Sequence, residues 1–100
     1  MILGRVLGTV VASRKSPRLE GRKFLLVEKI DPATMKGKKD YVVAIDAAGA
    51  GIHEIVFYAT GSCGRYTEAT EGKPSDATIT AIVDAIEIDG AYVYDKAKDA

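Results

Sequence analysis

Short apolar runs separated by turn chemistry set the pattern of this chain. Ile2–Ser13, Phe24–Ile30, Tyr41–Ala47 and Glu54–Thr60 are rich in Val, Ile, Leu, Phe and Tyr, and each predicts a strand on a pleated, half-buried surface. In the first run Leu3, Leu7 and Val11 alternate with Ile2, Val6 and Val10. Gly4 and Gly8 fall on the second face, where an interior glycine marks a bulge or a bend. Ser16–Gly21 is a turn-rich connection, Asp31-Pro32 ends the second strand, and Ala33–Asp40 reads as a polar hairpin loop. Asp76–Asp89 carries two signals. Ile79, Ile82, Val83 and Ile86 fit a helical stripe capped by Ser75 or Asp76. Yet the segment is rich in β-branched residues and ends at Asp89-Gly90, a strong hairpin turn, so a strand paired with Ala91–Tyr94 is predicted. One helical turn is expected near Pro74–Ala77, and a frayed tail from about residue 95.

The centre of this organisation is Tyr41–Arg65. Two of the apolar runs flank a loop of small residues, Ala47 to Gly51, bracketed by Asp46 and Glu54. Gly49 and Gly51, separated by one residue, predict backbone with φ > 0 and a tightly specified path. The two carboxylates are placed to accept N–H bonds from that loop. The bland reading is a hairpin with a generous turn; the sharper one sets the loop against a ligand or a neighbouring subunit. Phosphate cradling lacks its spacing, since neither G-x-G-x-x-G nor Gly-Lys-Ser/Thr follows a strand. A second small-residue turn, Gly61-Ser62-Cys63-Gly64, closes at Arg65.

Five or six short strands and little helix predict a mainly β chain, a small barrel or sandwich, folded as one domain over its 100 residues. Several strands are apolar on both faces, more than so small a chain buries alone, and an oligomer interface relieves that problem. Lys plus Arg (14) equals Asp plus Glu (14), and a neutral small domain tends to associate. The same balance argues against nucleic acid as the main partner, because phosphate binding usually leaves a basic excess. The basic stretch around Arg14, Lys15, Arg22 and Lys23 has no interleaved aromatic residues and reads as a solvated loop. One cysteine permits no intrachain disulfide and suits a reducing cytoplasm. The N-terminus lacks signal-peptide order, and no apolar run is long enough to span a membrane.

Catalytic chemistry is thin. Cys63 and His53 would need mutual hydrogen-bond reach and an orienting third group to act as nucleophile and base. One His and one Cys cannot supply a zinc shell, and Asp84, Glu87 and Asp89 read as a solvated face.

An ordered set of motifs points elsewhere. It begins with Gly4-Arg5-Val6, Gly8 to Ser13 and Leu25-Leu26-Val27, and continues through Ala44-Ile45-Asp46 and Gly49-Ala50-Gly51 with Glu54. It ends with Gly61-Ser62, Arg65, Asp76-Ala77 and Ile82-Val83-Asp84. From Met1 to about Tyr94 the chain resembles the EutN/CcmL proteins, which form the vertices of bacterial microcompartment shells. The resemblance implies a five-stranded OB-like barrel assembled as a cyclic pentamer. Its partners would be further copies of the chain and the hexameric facet proteins of a cytoplasmic shell, with no catalytic role, cofactor, metal, nucleic acid or membrane. Gly49, Ala50, Gly51, His53, Glu54, Gly61, Ser62 and Arg65 become the candidates for structural loop and subunit contacts. Two departures stand out. His53 replaces a usual glycine, and Cys63-Gly64 stands where the family often has Ser-Ala. The rival readings are a monomeric OB-type nucleic-acid-binding module and a small Cys/His enzyme.

Overall fold

The computed structural model describes residues 1–11, 21–60 and 77–99. Five strands close a barrel: β1 (Ile2–Val10), β2 (Phe24–Ile30), β3 (Gly37–Asp46), β4 (Ile55–Thr60) and β5 (Ala77–Ile82). Their order around it is β1-β2-β3-β5-β4, with β1 pairing back onto β4. All pairs are antiparallel except β3 and β5, which meet in parallel at Ile45↔Thr78 and Asp46↔Ile79. This is the OB-like barrel that the resemblance implies, and closure leaves it no free strand edge. A two-stranded ribbon, β6 (Ala85–Ile88) and β7 (Ala91–Asp95), and a single helical turn, α1 (Lys96–Asp99), complete the described chain.

The alternation along each strand separates two cores. The barrel interior holds Val6, Leu25, Val27, Ala44, Val56, Tyr58, Ala77 and Ile79, all buried. Burial pushes the Tyr58 phenol up, and the charge of Asp40 adds to the shift. Gly4 is part of this packing: a Cβ there would lie 2.5 Å from Val27 Cγ1, 2.9 Å from Tyr58 Cε1 and 3.0 Å from the Glu28 carbonyl oxygen. The register of β1 on β2 shifts between Val6 and Gly8, the bulge that its glycines signal. The second core unites Ile30, Ile55, Val83 and Tyr94 with Leu3, Met35, Phe57 and Ile86, so the β6–β7 ribbon covers the outer face of β1 and β4. Much of the second apolar face read from the sequence is therefore covered within the chain rather than by a partner.

Three boundaries differ from expectation. β3 begins at Gly37 rather than Tyr41, because the turn before it is tight. Asp31 accepts from Ala33 N through Oδ1 and from Met35 N through its carbonyl, while its own N–H meets the Lys36 carbonyl; Met35 takes φ 62°. Asp76–Asp89 is not one strand. The chain leaves the barrel at Val83, whose N–H donates to the Ile55 carbonyl (2.8 Å), and β6 pairs with β7 instead. β1 ends at Val10, and Val11 is exposed. The Asp89-Gly90 turn forms as predicted: φ is 52° and 82°, positive at both central positions as in a type I′ hairpin. The segments at 12–20 and 61–76, including the expected helical turn before Ala77, lie outside the described residues.

Candidate functional site

The small-residue loop closes one end of the barrel. Asp46, the last residue of β3, turns its carboxylate into the loop: Oδ1 accepts from Ala48 N (3.0 Å) and Gly49 N (2.9 Å), and Oδ2 from Ala50 N (3.0 Å). Three N–H groups that no strand can satisfy thus share one carboxylate. Glu54 does the same from the other side, accepting the Gly51 N–H at Oε1. Lys23 Nζ donates to the Ala50 carbonyl (3.2 Å), His53 N to the Val6 carbonyl (2.7 Å) and Val6 N to the Glu54 carbonyl (3.0 Å). The Ala50 side chain drops into the barrel core.

Backbone conformation is distributed differently from the sequence reading. Gly49 is left-handed (φ 79°), but Gly51 is not; the second left-handed position is His53 (φ 69°). Histidine tolerates that region better than most residues, though less well than the glycine usual in the resembled proteins. At Gly51 the constraint is spatial, since a Cβ would meet Glu54 Oε1 at 3.3 Å.

Beside the loop a cleft of about 770 Å³ opens between Arg5, Met35, Ile52, His53, Tyr94 and Lys96. Glu54 Oε2 pairs with Lys96 Nζ of α1. The Lys96 hydrogen bond, with that of Gly51 N–H, holds the Glu54 carboxyl below its ordinary range, and Glu54 raises the Lys96 ammonium in turn. Glu54 therefore joins the glycine loop to the end of the described chain.

Gly49, Ala50, Gly51, His53 and Glu54 lie together in this loop. Gly61, Ser62 and Arg65 lie outside the described residues, as does Cys63, so the Cys63–His53 pair has no geometry to weigh. Lys23, Arg5 and Lys96 were absent from the sequence-derived set. Lys96 lay in a tail read as frayed, and Lys23 in a stretch read as a solvated loop. Among the described residues no group of three or more His, Cys, Asp and Glu is placed to hold a metal ion. No described helix is long and apolar enough to cross a membrane.

The family profile described as "Ethanolamine utilisation protein EutN/carboxysome" matches residues 1–84. The chain belongs to the EutN/CcmL family. Its likeness to individual members runs end to end. It is 42% identical to the carboxysome shell vertex protein CcmL of Gloeobacter violaceus over 96 residues, 96% of this chain and 95% of that one. The solved structure of Gloeobacter violaceus CcmL superposes with a TM-score of 0.86 at 41% identity, covering 97% of this chain and 99% of that chain. The bacterial microcompartment shell vertex protein EutN of Escherichia coli is 36% identical over 98 residues, 96% of this chain and the whole of that protein. The structure of GrpN from Rhodospirillum rubrum, described as a pentameric microcompartment shell protein, aligns with a TM-score of 0.77 at 35% identity over 88% of this chain and 99% of that one. Within the EutN/CcmL barrel, the Asp46–Glu54 loop is held by four backbone N–H bonds to the Asp46 and Glu54 carboxylates and adjoins the charged cleft.

Proposed function

We propose that this chain is a structural shell protein whose pentamers cap the vertices of a bacterial microcompartment. The observation that carries this reading is the end-to-end likeness, in sequence and in barrel, to proteins named shell vertex proteins, one of them described as pentameric. The likeness spans 96–97% of this chain and 95–99% of those proteins, which supports reading the chain as one vertex domain. The work of such a protein is geometric. A sheet of hexagonal tiles is flat, and closing it into a polyhedron requires pentagonal positions. A cyclic pentamer supplies them if its outer rim complements the rim of hexameric facet proteins. Each subunit then meets its neighbour head to tail, through two different patches, and the rotation closes as a ring.

In this reading the partners are four further copies and the hexameric facet proteins, inside the cytoplasm. No cofactor, nucleic acid or membrane takes part, and the protein is not an enzyme. The Asp46–Glu54 loop serves as a rigid structural element near a subunit contact, rather than as a catalytic centre. Native mass spectrometry of the purified chain at micromolar concentration tests the assembly. The expected result is a five-subunit species, and a monomer or dimer alone overturns the reading.

A further inference from the structure

The β6–β7 ribbon is anchored at its base and free at its tip. Ile86 and Tyr94 lie in the second core, whereas Glu87 to Tyr92 form six consecutive exposed residues. Ile88 is 38% and Tyr92 64% exposed. Four acids and no Lys or Arg occur from Asp84 to Asp95, and two of the four, Glu87 and Asp89, are on the tip. A two-stranded ribbon is marginal by itself, so an exposed tip with apolar groups and uncompensated carboxylates has surface to cover.

The cleft beside the glycine loop has the opposite chemistry. Its apolar wall comes from Met35, Ile52 and Tyr94, with Ile52 47% exposed. Its open charge is Arg5. In the β1–β2 register Arg5 lies opposite Glu28, but the Glu28 carboxylate accepts the Lys39 N–H (3.0 Å) instead. Among the described residues no carboxylate pairs with the Arg5 guanidinium, and the Glu54 carboxylate is taken by Lys96 and Gly51. The cleft thus offers a guanidinium over an apolar wall, and the tip offers the Glu87 and Asp89 carboxylates beside exposed Ile88 and Tyr92.

The two patches cannot meet within one subunit. The cleft reaches the base of the ribbon at Tyr94, and Asp89 is five residues further along the extended chain, roughly 16 Å away. A two-residue turn gives a ribbon that does not fold back on its own base. We propose that the ribbon tip of one copy, Glu87–Tyr92, seats in the Arg5 cleft of the next copy. The contact joins two different patches, the heterologous type that closes a ring. It rests on the pentamer reading and names the surfaces that build it.

Charge reversal tests this pairing. Arg5→Glu and Asp89→Arg should each raise the subunit concentration needed for the pentamer by about tenfold or more, and the double variant should recover most of that loss. Circular dichroism confirms that each variant is folded. As a second measurement needing no variant, carbodiimide cross-linking of pentamers mixed from isotope-labelled and unlabelled parent chains should join Glu87 or Asp89 of one copy to Lys96 of another. Folded single variants with parental pentamer stability, or mixed pentamers with no inter-copy link from the tip, overturn the inference while the pentamer stands. A parent chain that never forms the pentamer overturns the reading beneath it instead.

Discussion

His53 shows what a single residue costs and gives here. Its backbone is left-handed at φ 69°, where an L side chain is strained and glycine is not. His53→Gly should be tolerated and stabilising by up to about 1 kcal/mol, offset in part by the flexibility it gives the unfolded chain. His53→Val should destabilise by about 1–3 kcal/mol, because a β-branched side chain resists that region. Equal losses for the two variants in urea titrations would show that the conformation is not what matters. Gly4 makes a different demand. A Cβ would collide with Val27, Tyr58 and the Glu28 carbonyl, so Gly4→Ala should cost about 2–3 kcal/mol in the same titration. Parental stability would mean that β1 shifts to make room. At this scale the sequence was partly legible. Asp46 and Glu54 could be assigned to the loop N–H groups because carboxylates bracketing a small-residue turn have few better acceptor tasks. The left-handed positions were not legible: Gly49 and Gly51 look alike in sequence, and the ladder of hydrogen bonds decides which of them turns.

Among the elements, the contact between α1 and the glycine loop has a pH-dependent consequence. Residues 96–99 form the helical turn α1, and Lys96 reaches Glu54. Glu54 has a folded pKa below its ordinary value of 4.5, so its contribution is fully present above that pH and is lost as pH falls through the depressed value. The Lys96 contribution has the opposite sign: it is present below the ordinary lysine range and lost as pH rises through the raised value. Lys96→Met should therefore be less stable than the parent near neutral pH, and the difference should shrink as pH falls below 4.5 and through the depressed Glu54 value. A difference independent of pH from 3 to 8 would assign the loss to packing rather than charge. The strand pattern itself was well legible in β2 and β4, where apolar runs are bounded by clear turn signals. The division of Asp76–Asp89 into β5 and β6 was hidden, because Val83 is as suitable for a strand as its neighbours and leaves the barrel only to fill the second core.

For the whole molecule, the barrel followed from strand count and spacing together with the family resemblance, and the second core did not. Apolar residues on both strand faces suggested a need for partners, yet the β6–β7 ribbon of the same chain meets part of it. Among the described residues the large apolar side chains more than a third exposed in one subunit are Met1, Val11, Tyr41, Val43, Ile52, Ile88 and Tyr92. In the proposed ring of five such groups would gain neighbours, and the rim of that ring would meet the facet proteins at the shell's corners. Electron microscopy of shells assembled from facet proteins, with and without this chain and with no other vertex protein, tests that account most directly. The account predicts open or leaky assemblies without the chain, and closed shells with density from it at the corners when it is added. Closed shells with intact, occupied vertices in its absence would contradict it.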